Sequence, residues 1–262
     1  MTTKETIRTF VRTLYDFQDM RIRMGNRLKK KKDGSDQENA DDINLDDESI
    51  PILVDVWHDA EESEKKLLKA IEAELKTVPV YTEFLKNVKG CGPLMSAVII
   101  SEYDIHKATT VSKLWQYTGL NPGMVKGSKP KGSKKDGTFE IVKSDEEVRG
   151  DRRTPGFLAP FNGWLRTKMC GVLASSFIKC RSPYRDYYDN MKARLEQESN
   201  AVMHCGKTTP WKDVTKGHRD SAAKRYMIKM FLLDLYKVWR ELEGLPVRKP
   251  YQEEYLGHEH SA

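Results

Sequence analysis

The chain has 262 residues, enough for one large domain or two small ones, and no apolar run in it reaches the length of a membrane span. Apolar residues make up 38% and charged residues 32%, so a core of modest size lies under a heavily charged surface. The formal net charge of +6 favours a polyanionic partner only mildly, and the placement of charge along the chain says more than its sum.

Four cysteines, Cys91, Cys170, Cys180 and Cys205, form no C-x-x-C pair. That argues against a disulfide framework and fits a reducing compartment. No signal peptide opens the chain, so the expectation is a cytoplasmic protein with no membrane partner, in the host cytoplasm if the chain is phage-encoded.

Residues 4–28 carry apolar side chains at helical spacing. Ile7, Phe10, Val11, Leu14, Phe17, Met24 and Leu28 share one face, which Arg21 interrupts. The stretch from Arg27 to Lys32 is almost wholly basic, and 33–49 is strongly acidic without aromatics, a composition that predicts a solvated loop. A second long helix is predicted after Pro51, with Val56, Ala60, Ser63, Leu67, Ala70, Ile71 and Leu75 at roughly heptad spacing. This pattern suits one side of a coiled coil, within the chain or between chains, and equally a packed bundle helix. The first helix can fold back on the second as an antiparallel hairpin, giving an N-terminal unit over 1–78 through which the chain is expected to dimerise.

The segment 79–125 reads as a helix-hairpin-helix. A short apolar stretch, Tyr81 to Val88, runs into Lys89-Gly90-Cys91-Gly92-Pro93, and a second apolar helix follows at once. Two glycines permit a tight turn, and the free N–H groups at the start of the next helix can approach a phosphate. Gly90, Cys91 and Gly92 are therefore candidate backbone donors, with Lys89 as a mobile charge beside them. Such contacts hold nucleic acid by shape and carry no base information. An ordinary glycine-capped corner between two helices has the same sequence signature. A further helix over Val111 to Thr118 closes at Gly119-Leu120-Asn121-Pro122-Gly123, a strong stop signal.

Residues 126–157 change character. Lys126, Lys129, Lys131, Lys134 and Lys135 are interleaved with Gly127, Ser128, Gly132, Ser133 and Gly137, from which no core can be built. A long, flexible basic loop is expected, with room for a small hairpin around a strand at Thr138 to Val142. Beside a phosphate-binding turn, such lysines are rewarded by counterion release; a solvated linker is the plainer alternative.

From 158 to 262 a helical C-terminal domain is predicted. Phe161, Trp164, Leu165, Met169, Val172, Leu173 and Phe177 make an apolar face, with Arg166 outside it as a further phosphate contact. Pro183 breaks the pattern. Tyr184 to Glu198 forms the next helix, whose Tyr184, Arg185, Tyr187 and Tyr188 suit either base stacking or core packing. Residues 199–216 read as a loop, and 218–242 as a last long helix. The fold class is mainly α.

His204, Cys205, His218 and Cys180 match no tight metal spacing, no phosphate loop of NTPase type is present, and neither a metal nor a cofactor is expected.

From Tyr81 to about Glu196 the chain resembles the C-terminal half of the insertion sequence 110 family of bridge-RNA-guided transposases. The motifs that carry the likeness are Val88 to Gly92, Tyr117-Thr118-Gly119-Leu120-Asn121-Pro122, the loop 126–135, Asn162-Gly163-Trp164-Leu165-Arg166 and, loosely, Ser182-Pro183-Tyr184. The resemblance implies a transposase-like, phage- or mobile-element-borne protein acting on DNA or structured RNA. It also implies a serine nucleophile in the loop after the helix-hairpin-helix, for which Ser128 is the nearest match and Ser133 the second. That family's N-terminal nuclease-like domain with its acidic metal ligands has no counterpart here. The leading expectation is thus non-sequence-specific binding of DNA or structured nucleic acid without independent catalysis. The alternatives are a minimal serine-dependent recombinase or nuclease, and a protein- or small-ligand-binding module on a reused scaffold.

Overall fold

The structure is a computed structural model and describes residues 2–28, 51–132, 135–204 and 207–249. It is mainly helical. Helix α1 (Thr3–Leu28) opens with a reciprocal cap, in which the Thr2 hydroxyl accepts from the Glu5 N–H and the Glu5 carboxylate accepts from the Thr2 N–H. Helix α2 (Pro51–Leu75) begins on proline, whose missing N–H costs nothing at a helix start. The two pack antiparallel: Met24 meets Trp57 and Ala60 at one end, and Ile7, Val11 and Leu14 join Ile71 and Leu75 at the other. Arg21, which breaks the apolar face of α1, bonds to Glu64 at 2.6 Å and lies over the Trp57 ring. The heptad seam predicted on α2 is thus buried within the chain, against α1 and the helix that follows the glycine turn. The acidic loop 33–49 falls outside the described residues.

The first arm of the predicted helix-hairpin-helix is shorter than its sequence pattern. Helix α3 spans Pro79–Glu83, and one 3-10 turn, Leu85–Asn87, completes the arm. Phe84 leaves helical geometry, at φ −128° and ψ −67°, and ends α3 there. The second arm, α4 (Pro93–Glu102), is buried from Met95 to Glu102, and α5 (Val111–Tyr117) follows.

The stretch expected as a long basic loop is for most of its length a two-stranded antiparallel ribbon. Strand β1 (Met124–Lys131) pairs with β2 (Glu140–Arg149), with a bulge between Lys126 and Ser128. β-Branched residues at 141, 142 and 148 supply the strand preference that the glycines and lysines mask.

Helix α6 (Gly163–Thr167) runs through a π-helical turn, Lys168–Leu173, into α7 (Ala174–Lys179); α8 (Arg185–Gln197) follows. A second small hairpin, β3 (Ala201–His204) with β4 (Lys207–Pro210), occupies the segment expected as loop. Helix α9 (Lys216–Leu242) is the central post, its Met227, Phe231, Leu235 and Tyr236 fully buried among α3, α5, α7 and α8. Its two buried arginines are satisfied by carbonyl oxygens: Arg219 by those of Trp211, Lys212 and Val214, and Arg240 by those of Ile105, Ala108 and Pro246.

Among the described residues no helix is long and apolar enough to cross a membrane.

Candidate nucleic-acid interface

The glycine turn is built as the spacing predicts, but its groups differ in what they can reach. Gly90 takes φ +92°, a conformation costly for residues with a side chain. A Cβ there would stand 3.0 Å from the Phe177 ring, and the Gly90 carbonyl accepts from the Ser176 hydroxyl at 2.8 Å. The turn therefore leans on α7. Cys91 is buried and its N–H donates to the Val88 carbonyl at 2.9 Å, so it is a structural donor and not a contact for a phosphate. Gly92 is exposed, N-caps α4 without a side chain, and has open space where a Cβ would go; Lys89 is exposed beside it.

The ribbon carries the lysines singled out in the sequence. Lys126 faces Asp145 at 3.4 Å and Lys129 faces Glu146 at 2.5 Å, so β2 supplies carboxylates to the lysines of β1. Lys131 and Lys135 are exposed towards the far end of the ribbon; Lys134 and Ser133 fall outside the described residues. Ile141 and Val142, on opposite faces of β2, are 62% and 42% exposed. The ribbon is tied to the body at its base and along the middle of β1. At the base the Gly150 N–H donates to the Gly123 carbonyl; midway along β1 the Leu158 N–H donates to the Ser128 carbonyl, and Lys129 lies 4.5 Å over the Phe157 ring.

Ser128 sits on β1 opposite Lys143. Among the described residues no carboxylate or imidazole is hydrogen-bonded to its Oγ, the kind of partner that activates a serine nucleophile.

The motifs of the resemblance converge on one joint. Asn162 N-caps α6 through its Oδ1, which accepts from the Leu165 N–H at 3.0 Å. Its Nδ2 donates to Glu102 at 2.7 Å and to the Tyr117 hydroxyl at 3.1 Å, and its own N–H donates to the Tyr117 carbonyl. Gly119 takes φ +72° directly beneath the Phe161 ring, where a Cβ would stand 2.7 Å from a ring carbon. Arg166 lies over that same ring and donates to the Asp151 carbonyl. The spacing of Tyr117, Gly119, Asn162 and Arg166 is thus a packing requirement of the point where the ribbon leaves and rejoins the body.

At this point cations gather that the sequence reading missed, apart from Arg166. Arg149 ends β2 and grips both oxygens of Asp151, at 3.1 and 3.3 Å. Arg225 and Lys229 lie one turn apart on α9, and Lys229 lies 5.2 Å from the Trp115 ring. Burial, and then the charges of neighbouring arginines, hold Arg225 and Lys229 below their ordinary pKa values. An i, i+4 pair of cations on a helix was visible in the sequence; the meeting of Arg149 and Arg166 at Asp151 was not.

The tyrosine and arginine group of α8 is structural. Tyr184 is buried, stacks on Phe177 and donates to Asp234 at 2.9 Å, while Tyr188 donates to Asp220 at 2.6 Å. Desolvation, with the Asp220 hydrogen bond, pushes the Tyr188 hydroxyl up to about 12. Arg185 pairs with Asp189. A cavity of about 400 Å³ beside Glu102 is lined by Lys4, Arg8, Asp104 and Lys107, each engaged by a neighbour. Among the described residues no group of three or more His, Cys, Asp or Glu side chains gathers as metal ligands do.

No family model matches this chain, and no curated protein or solved structure does either.

Proposed function

We propose that the protein binds DNA or structured nucleic acid through the phosphate backbone, without sequence preference, using the 124–149 ribbon as its principal contact. The observation that carries this reading is the ribbon itself, a two-stranded arm bearing Lys126, Lys129, Lys131, Lys135 and Lys143. A two-stranded ribbon fits the major groove of duplex DNA, about 12 Å wide. The ion pairs from Lys126 and Lys129 do not compete strongly, since exposed pairs contribute only about 0–1 kcal/mol and exchange readily for a phosphate. Exposed Ile141 and Val142 suit contact with sugars or base edges in a groove. The motifs that resemble those of the insertion sequence 110 family of transposases favour a nucleic-acid scaffold. Ser128, to which no base is hydrogen-bonded among the described residues, favours binding over strand cleavage.

The test is gel-shift binding to duplex, junction and single-stranded DNA and to RNA across a salt series, with Lys129, Lys131 and Lys135 all changed to glutamate as the comparison. Steeply salt-dependent binding that the triple variant loses is the expected result. Absence of binding at about 50 mM salt, where phosphate contacts are strongly favoured, overturns the reading.

A further inference from the structure

A cavity of about 400 Å³ opens between α1, the end of α4 and α5. Small-ligand pockets run from about 300 to 1,000 Å³. Its lining is sorted by chemistry. Buried Tyr103 and Leu114 contribute an apolar floor. Lys4, Arg8, Lys107 and Lys113 stand around it, against two carboxylates, Glu102 and Asp104. Glu102 is satisfied without any of the four: its Oε1 accepts from Arg12 at 2.6 Å and its Oε2 from Asn162 at 2.7 Å. Arg8 stands 3.4 Å from that carboxylate, makes no hydrogen bond among the described residues and keeps 55% of its side chain exposed. Lys107 approaches Asp104 at 3.5 Å, and Lys113 approaches the Lys107 carbonyl at 3.4 Å; both lysines are exposed. Exposed contacts of this length hold their partners weakly. Lys4 alone of the four is anchored, donating to the Tyr103 carbonyl at 2.5 Å.

Tyr117 adds an aromatic face to the same cavity. The residue is 41% exposed, its hydroxyl accepts from Asn162 Nδ2 at 3.1 Å, and its ring centre lies 6.1 Å from that of Tyr103. The ring is thus held in place while part of it stays open. From this juxtaposition of a fixed ring, an apolar floor and loosely held cations, we infer that the cavity binds one nucleoside monophosphate unit. Its base stacks on Tyr117, and Arg8, Lys107 and Lys113 take its phosphate. Stacking on an aromatic side chain tolerates any base. The Arg8 guanidinium matches phosphate oxygens with paired hydrogen bonds, and the lysines add mobile point charges. Charge fixes the kind of phosphate. The lining carries two more cations than carboxylates, and a phosphate monoester bears about −1.5 to −2 at pH 7. A diester within a strand, with a single charge, would leave part of that surplus uncovered. The monoester is therefore a free nucleotide or the phosphorylated end of a strand, which present the same chemistry. The site shares no residue with the ribbon and does not rest on the reading above.

The experiment titrates the full chain with adenosine 5′-monophosphate, adenosine and inorganic phosphate by calorimetry. The monophosphate is expected to bind roughly tenfold or more tightly than either part alone, since it engages both the ring and the cations. Arg8→Gln/Lys107→Gln, at two exposed positions, is expected to remove the preference for the monophosphate over adenosine. Tyr117→Phe keeps the ring and is expected to bind as the wild type does. Tyr117→Leu is expected to bind roughly fivefold or more weakly, the scale of one stacking contact. Both Tyr117 variants lose the bond to Asn162, so the difference between them reads the ring. No binding by the wild type at millimolar monophosphate overturns the site. So does binding that the Arg8/Lys107 variant leaves unchanged, or that the two Tyr117 variants weaken equally. A short single strand with a 5′-phosphate, compared with the same strand ending in a hydroxyl, distinguishes the sources. A preference for the phosphorylated strand that the Arg8/Lys107 variant loses assigns the site to strand ends; monophosphate binding without that preference assigns it to free nucleotides. The ribbon triple variant is expected to bind the monophosphate unchanged, and loss there overturns a separate site. Duplex binding without monophosphate binding overturns this site and leaves the ribbon reading standing. The reverse result keeps the site and overturns the ribbon reading.

Discussion

Arg12 reaches the Glu102 carboxylate at 2.6 Å across ninety positions of sequence, and that carboxylate has no exposed surface. The same carboxylate accepts from Asn162 at 2.7 Å, and the Arg12 guanidinium stacks on Trp164 at 3.6 Å. One buried acid therefore joins the N-terminal hairpin, the helix after the glycine turn and the start of α6. This joint holds the platform from which the ribbon projects.

The two partners are not equivalent. Arg12 is partly exposed and can return to water, whereas Glu102 cannot. Arg12→Ala leaves a buried carboxylate short of its strongest partner and is expected to cost about 3 kcal/mol. Glu102→Gln keeps an acceptor for Asn162 and frees Arg12 to solvent, so it is expected to cost less. Urea unfolding of both variants measures the order, and a reversed order contradicts this account.

The glycine turn separates stability from binding. Gly90→Ala meets both a left-handed backbone and the Phe177 ring, and is expected to cost at least 1–2 kcal/mol, a scale typical of such strain. Gly92→Ala enters open space at φ −70° and is expected to cost only a few tenths to about 1 kcal/mol as a poorer N-cap. Gly92→Ala is therefore the cleaner probe of whether the turn touches phosphate. Nucleic-acid binding by a well-folded Gly92→Ala protein reports on that contact, and circular dichroism confirms that folding is intact.

Cys91 makes a titration prediction with a definite sign. Burial raises its thiol from the ordinary 9.0 to about 11. Between those values the unfolded chain loses the proton and the folded chain keeps it, so stability falls as pH rises from about 9 towards 11. Cys91→Ala should flatten that part of the stability curve. At pH 8 iodoacetamide should modify the exposed Cys180 and spare Cys91, which mass spectrometry of the digested protein would read directly.

Among the described residues no base is hydrogen-bonded to Ser128, so Ser128→Ala is expected to leave melting temperature and duplex affinity unchanged. Strand cleavage by the wild-type protein that disappears in this variant would restore the enzymatic alternative.

Much of the helical architecture is legible in the sequence. The apolar spacing of Ile7, Val11 and Leu14, and of Met227, Phe231 and Leu235, marks the buried faces of α1 and α9. Pro51, Pro79 and Pro93 mark helix starts. The ribbon was masked because glycine and lysine dominate its composition, while its pairing of Ser128 with Lys143 is a non-local contact that no window reveals. The second hairpin, β3 with β4, was hidden because its strands span only four residues each.

Candidate site residues divide the same way. The exposure of Lys89 and of the ribbon lysines follows from composition, since such side chains have no core to enter. Cys91 could not be excluded as a contact until the burial of its side chain and the bond from its N–H were known.

Local patterning by itself determined where helices lie, which faces they bury and where the chain turns, because those depend on neighbours within a few residues. Only the tertiary structure decided that the heptad seam of α2 closes inside the chain, and that β2 carboxylates face β1 lysines. The same holds for the meeting of Arg149 and Arg166 at Asp151. Those are relations between residues far apart in sequence. Their energies arise from the burial and charge that folding brings together, and no single segment carries them.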